Sequence, residues 1–358
     1  MDKFQQKLNF DFKTNQQIVK LISFTDSFKG KWNLIEKKEN IYLKELRRIA
    51  TIESIGSSTR IEGAKMSDSE VKELLDNIKI TNLKTRDEQE VLGYYEVLEL
   101  IYESFKDIKL TQGHIQHLHS VLLKYSKKDD RHRGRYKNLP NTVVANYPDG
   151  TQRIIFNTTA PHLVEPEVND LINWANEQFI LEEIHPLIVI GLFIYEFLSI
   201  HPFQDGNGRL SRLLTTCLLL KQDYQFILYV SFESLLEQKK KLYYEALMDG
   251  QKDRYSEKER INLWLLFFLQ SLEILIQRLE KKYDIFKTRG GYLNDRQKLI
   301  KKYIDDNEPV KLADLDIAFP EISINTIKKD LIYLKNEKMI NSIGKNRGTI
   351  YISIEKKE

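Results

Sequence analysis

The sequence predicts a mainly α-helical protein that carries one β-hairpin and ends in a small α+β unit. Three observations lead there. Apolar residues recur at helical spacing, most plainly at Leu210, Leu213, Leu214, Cys217 and Leu218, which builds one buried stripe. Two β-branched segments, 141–146 and 153–157, flank the turn-prone Tyr147-Pro-Asp-Gly150 and read as a hairpin. From Ile285 onward 15 Lys/Arg stand against 11 Asp/Glu, whereas the preceding 284 residues hold 40 against 41, so the basic excess belongs to a separate tail. A chain of 358 residues, 41% hydrophobic, exceeds the usual single-domain length. The expected divisions are 1–85, 86–284 and 285–358.

Taken in order, Ser57-Ser-Thr-Arg-Ile-Glu-Gly63 places Ser58 and Glu62 one helical turn apart on one face, with Gly63 as the C-terminal stop. Alone, this is a capped helix end. A helical stretch follows over Glu88–Leu123, and then Arg131-His-Arg-Gly-Arg-Tyr-Lys137, a basic cluster short enough to read as a solvated loop. After the hairpin, Leu187–Ile200 is fourteen residues long and contains Glu196, short of the roughly 20 apolar residues that span a bilayer. It is a buried helix opened by Pro186 at its first turn, and His185 before it has a loop role. Leu-rich Ile261–Leu279 is helical, and Lys287-Thr-Arg-Gly-Gly291 is a linker.

In the tail, helices are expected over Arg296–Ile304, Lys311–Ala318 and Ser323–Lys335, the last with Ile324, Ile327, Leu331 and Leu334 as its stripe. Strands are expected at Met339–Ile343 and Thr349–Ser353 around Gly344-Lys-Asn-Arg-Gly348. Three helices and a basic hairpin resemble a winged helix, with Asn325, Thr326, Lys328 and Lys329 exposed on the recognition helix and Lys345 and Arg347 on the wing. That module binds DNA or docks a protein, a second copy of the chain included. A net excess of four charges is modest for gripping phosphates.

The chemistry concentrates in His201-Pro-Phe-Gln-Asp-Gly-Asn-Gly-Arg-Leu-Ser-Arg212. Gly206 and Gly208 allow φ > 0, so that with Asn207 the backbone N–H groups converge as an anion nest at the start of the following helix. Arg209 and Arg212 sit in the first turn of that helix, where the macrodipole is positive, and want an anion. A nucleotide triphosphate supplies one. Asp205 offers a hard carboxylate for Mg²⁺ beside substrate phosphates, and His201 is the group in the run able to take a proton near neutral pH. There is no Walker P-loop and no complete dinucleotide fingerprint.

This run resembles the Fic signature HPFx[DE]GNGRxxR at all nine fixed positions. The resemblance implies a Fic-type helical bundle over 86–284 with a β-hairpin flap, transferring AMP from ATP to a Ser, Thr or Tyr hydroxyl of a protein, itself included, with release of pyrophosphate. It implies His201 as general base, Asp205 as the Mg²⁺ ligand, Gly206, Asn207 and Gly208 as cradle, and Arg209 and Arg212 on the outer phosphates. Gly208 stands where the phosphorylating branch carries lysine. Ser58-x-x-x-Glu62-Gly63 then resembles the inhibitory motif [ST]xxxE[GN], which implies a bidentate Glu62–Arg212 pair that blocks the γ-phosphate and a resting enzyme of low activity. By the same resemblance Ile155, Phe156 and Asn157 of the flap border the nucleotide and the target, and Tyr243 and Tyr244 flank the adenosine. Two alternatives stand beside AMP transfer: AMP removal at the same site, and an ATP-sensing DNA-binding regulator. Cys217 on an apolar stripe, no disulfide framework and a polar N-terminus lead to an expectation of a cytoplasmic protein without a membrane partner.

Overall fold

The computed structural model describes residues 3–36, 41–77, 83–146, 152–288, 295–336, 339–344 and 348–354. The expected turn at Tyr147–Gly150, Arg289–Gly291 of the expected linker, and Lys345 and Arg347 of the expected wing lie outside them. The protein is mostly helical with small antiparallel sheets. It divides into two compact units, Met1–Leu279 and Glu280–Glu358.

In the first unit, α1 (Phe12–Glu36) and α2 (Ile41–Ile61) are followed by α3 (Asp68–Asp76), α4 (Arg86–Ser104) and α5 (Gln112–Leu122). The helical stretch expected over Glu88–Leu123 consists of two helices, α4 and α5. A capping box of Thr85 and Glu88 starts α4, and the Thr111 side chain, accepting from the His114 N–H, starts α5, because each hydroxyl satisfies an orphan N–H of the first turn. The hairpin pairs β1 (Thr142–Asn146) with β2 (Gln152–Asn157), Val143 facing Phe156 and Val144 facing Ile154. Ile155 is thus the extra residue of a β-bulge.

Then come α6 (Pro161–Leu181), α7 (Pro186–Ile200), α8 (Asn207–Lys221), α9 (Phe232–Gln238), α10 (Lys240–Gln251) and α11 (Asn262–Thr288). Lys287 and Thr288 lie in α11 rather than in a linker. Helix α7 is buried at every position from Val189 to Ile200, between α6 and α8. Its lone charge, Glu196, pairs with Lys7 and Arg254, which is how a carboxylate is kept in a core. A Cβ at Gly191 would stand 2.7 Å from Leu265 Cδ1, and Trp264 Nε1 donates to Gly191 O at 2.7 Å, so glycine there permits α11 to cross closely. The stripe of α8 is buried as its periodicity predicts, Cys217 included.

The second unit holds α12 (Asp295–Asn307), β3 (Val310–Lys311), α13 (Leu312–Ala318), α14 (Ile324–Asn336), β4 (Ile340–Ile343) and β5 (Ile350–Ser353). The sheet order is β3-β5-β4, all antiparallel. Ile300, Ile304, Leu315, Ile327, Leu331 and Leu334 form its core with residues of the sheet. Ile324, expected on the buried stripe, is 39% exposed, since it opens α14 before the first turn reaches the core. Asn325, Lys328 and Lys329 are exposed, as expected of them, and Thr326 is half-buried. No described helix is long and apolar enough to cross a membrane.

Candidate active site

Helix α7 ends at His201, whose N–H still closes on Phe197 O while its own φ is +53°. That left-handed residue turns the chain off the helix axis. The loop that follows is held by Asn207, whose Oδ1 accepts from Phe203 N at 2.8 Å and whose Nδ2 donates to Phe203 O at 2.7 Å. The Asn207 side chain is thus a brace for the loop, 1% exposed, and what it can offer an anion is its backbone N–H. Gly206 is the N-cap of α8 at φ +81°, the conformation that glycine adopts without a Cβ penalty. Gly208 has no positive φ and lies within α8. Its requirement is space: a Cβ there would stand 2.3 Å from Glu62 Oε1.

His201 Nδ1 lies 3.2 Å from Leu198 O. A carbonyl can only accept, so Nδ1 carries the proton and Nε2 presents a lone pair. Burial, with Lys137 adding to it, depresses the imidazole pKa to about 4 against the opposing pull of the Leu198 carbonyl, Glu62 and Asp205. The ring is therefore a neutral base at pH 7.

Asp205 Oδ1 accepts from Gly206 N at 2.5 Å and Arg209 Nη2 at 3.1 Å, and Oδ2 accepts from Arg86 Nη2 at 3.3 Å. Burial acts to raise its pKa, but Arg209, the Gly206 N–H and Arg86 outweigh it and keep the carboxyl below its ordinary value. Arg209 turns toward Asp205 and Glu90, the latter at 3.3 Å, and away from Arg212. Its Nη1 is the atom that faces Glu90, and its buried Nε has no hydrogen-bond partner among the described residues.

Helix α2 ends in a Schellman motif: Ala64 N donates to Thr59 O and Gly63 N to Arg60 O, both at 3.1 Å, with Gly63 at φ +110°. This presents Glu62 to Arg212. The pair is made through one carboxylate oxygen, Oε1 accepting from Nη2 at 2.8 Å, and not through the expected two-oxygen fork. The guanidinium also holds Ser58, Nε donating to Oγ at 2.8 Å and Nη2 to its carbonyl at 3.0 Å. Burial would raise the Glu62 pKa, yet Arg212 and Arg209 win and hold it below the usual glutamate value.

One cavity of about 200 Å³ collects Glu62, His201, Asp205, Gly206, Asn207, Gly208, Arg212, Tyr243 and Tyr244, with Leu198, Gln204 and Leu247. Tyr243 and Tyr244 meet edge to face, centroids 5.1 Å apart, and Tyr243 backs onto Trp264. The hairpin contributes Thr142 and Val143 of β1. Phe156 and Asn157 of the expected wall are their cross-strand partners, and the Ile155 side chain lies outside the described set. Ser58 and Arg209 lie behind the cavity, both buried.

Residues 109–219 match the family model described as Fic/DOC family. That segment is a Fic domain. Similar curated proteins include a "Protein adenylyltransferase Fic" of Aedes aegypti, 28% identical over 190 residues (52% of this chain and 35% of the relative). One from Nematostella vectensis is 26% identical over 185 residues (51% and 40%). The chain thus spans about a third of the length of the curated relatives it matches. Among solved structures, a Fic family protein from Desulfovibrio desulfuricans G20 shares the fold over 96% of this chain and 97% of its own, with 21% identity and a TM-score of 0.66. Fic-1 of C. elegans does so over 76% and 73%, with 19% identity and a TM-score of 0.58.

Around this Fic domain the structure adds residues that no motif marks. His119, 0% exposed, stacks on Phe203 at 3.8 Å, accepts from Gly134 N at its Nδ1 and bonds Asp205 O through Nε2 at 2.9 Å. Burial lowers its pKa to about 4, so it serves the loop as a neutral donor–acceptor. Arg60 grips Glu237 of α9 with two hydrogen bonds, and Lys240 Nζ donates to Ile61 O at 2.8 Å. Together they anchor the end of α2 that bears Glu62. Lys137, read as part of a solvated cluster, is 3% exposed.

Proposed function

We propose that this protein transfers AMP from ATP to a hydroxyl side chain of a protein, and that Glu62 holds the activity down at rest. The observation that carries this reading is the convergence in one cavity of a neutral imidazole with a free Nε2, a glycine-bent helix N-terminus and a guanidinium already claimed by a carboxylate. His201 Nε2 takes the proton of the acceptor hydroxyl as its oxygen bonds to the α-phosphorus. The bond from that phosphorus to the bridging oxygen breaks, and pyrophosphate leaves with the electron pair.

The N–H groups that open α8 receive phosphate oxygens, where the helix dipole favours negative charge. Arg212, once freed, adds donors for the leaving group, and Arg209 adds positive charge from behind the cavity. The hard carboxylate of Asp205 would hold Mg²⁺, which would supply positive charge to neutralise the substrate phosphates. Tyr243 and Tyr244 offer an aromatic corner to the adenine. The second unit belongs to the same proposal as a winged helix, with the exposed face of α14 as its contact surface for DNA or protein.

Glu62 competes with the γ-phosphate for Arg212. The test is to supply ATP labelled at its α-phosphate, with Mg²⁺, to wild type, Glu62→Gly and Glu62→Gly/His201→Ala. Label is expected in the chain itself or in added protein for Glu62→Gly, far less for wild type and none for the double variant. Absence of transfer from Glu62→Gly refutes the reading.

A further inference from the structure

The carbonyls of both residues that flank His201 are tied to one residue. The Lys137 backbone N–H donates to Pro202 O at 2.8 Å, and its Nζ donates to Ile200 O at 3.1 Å. The same ammonium donates to Asn141 Oδ1 at 2.8 Å and Thr158 Oγ1 at 2.6 Å, the residues immediately before β1 and after β2. Asn141 Nδ2 reaches Phe203 O at 2.9 Å, a further tie between hairpin base and loop. Lysine is almost never buried without a paired anion. Here its three protons are spent on a carbonyl, an amide oxygen and a hydroxyl, and no described carboxylate lies within ion-pair distance. A lysine that served packing alone has no need of that arrangement.

We propose that Lys137 is a positioning residue: it registers the His201 imidazole against the base of the hairpin over which the incoming hydroxyl arrives. This rests on the reading of His201 as the base. A single side chain that clamps the residues on either side of the base, and both ends of the hairpin, makes the distance between base and acceptor a property of one rigid unit. Errors of about 1 Å in such a distance cost on the order of 100-fold in rate. The charge has a second effect. The ionisable groups bearing on the imidazole are Lys137, which disfavours its protonation, and Glu62 and Asp205, which favour it.

The test replaces Lys137 by Met, which keeps the length of the stem and removes the three bonds of Nζ. In a Glu62→Gly background, the initial rate of AMP incorporation at saturating ATP is expected to fall on the order of 100-fold, while the affinity for a non-hydrolysable ATP analogue, measured by calorimetry, is unchanged. In the otherwise wild-type chain, the NMR titration midpoint of His201 is expected to rise from about 4 toward the ordinary imidazole value. An unchanged rate, or rate and ATP affinity falling together, overturns the proposal, as does an unmoved midpoint. If Lys137→Met does not fold, Thr158→Val removes the hairpin end of the tie and is held to the same rate and affinity outcomes. The NMR arm needs no AMP transfer, so it decides for or against Lys137 even where Glu62→Gly proves inactive.

Discussion

Replacing Arg60 by alanine should raise AMP transfer without touching any residue of the cavity. Arg60 makes five hydrogen bonds: Nε and Nη2 to the two oxygens of Glu237 at 2.8 and 3.0 Å, Nη1 to Asp68 Oδ1 and Met66 O at 2.9 Å, and Nη2 to Ser57 Oγ at 3.1 Å. The side chain is 23% exposed, so solvent discounts each bond, and the cluster contributes about 2 kcal/mol to holding the last turn of α2 in place. Lys240 and Arg212 still hold that turn when Arg60 is gone, so the fold survives. If the latch exists only while Glu62 is seated, its loss shifts the seated-to-withdrawn balance by roughly 30-fold, since about 1.4 kcal/mol is tenfold. The rate of label transfer from ATP should then rise by up to that factor, with Glu62→Gly as ceiling. The double variant Arg60→Ala/Glu62→Gly should match Glu62→Gly, because with no carboxylate to seat the latch has nothing to regulate. A further rise in the double variant, or a well-folded Arg60→Ala as inactive as wild type, refutes the reasoning.

Two further outcomes follow from the same geometry. The Glu62 carboxyl titrates below its ordinary value in the folded chain, so the unfolded chain binds that proton more tightly. The stability this charge contributes is present in full above the unfolded value near about 4.3 and is lost as pH falls through the folded one; urea midpoints of wild type and Glu62→Gln should differ at pH 7 and draw together as pH falls below the unfolded value. At Gly208 a methyl group would stand 2.3 Å from Glu62 Oε1, so Gly208→Ala should eject Glu62 yet leave the transfer rate low, since the methyl fills space the phosphates need. Transfer at the Glu62→Gly level from that variant counts against the crowding argument.

The helices around the site were legible because their signals are local. The Pro186 start, the stripe of α8 and the Gly63 stop each depend on residues within a few turns. The nine-position run could be read for the same reason, since its own glycine bends the chain into the start of α8. What escaped notice depends on partners far apart in sequence: Arg60 with Glu237, His119 with Asp205, Lys137 with Ile200. A basic cluster such as Arg131–Lys137 reads as solvated because nothing nearby shows that its last member is buried beneath the hairpin. The Glu62–Arg212 pairing came from resemblance, and its one-oxygen form could not, because it depends on Ser58, distant in sequence, taking Nε and sharing Nη2. The bulge between β1 and β2 is a geometric feature that periodicity cannot reveal.

These distant ties also explain how the base keeps an unfavourable conformation. A non-glycine residue in the left-handed region costs about 1–2 kcal/mol, and His201 sits there at φ +53°. Such strain persists where the surroundings over-determine it. The Phe197 carbonyl fixes the His201 N–H, Lys137 holds the carbonyls on either side, and Asn207 occupies both backbone groups of Phe203. His119 stacks on the Phe203 ring and holds the Asp205 carbonyl. Were His201 to relax to right-handed geometry, α7 would continue and carry the imidazole around its axis, away from Gly206. The strain is therefore the means by which a helix C-terminus and the next helix N-terminus face one cavity, the imidazole on one side and the N–H groups that open α8 on the other.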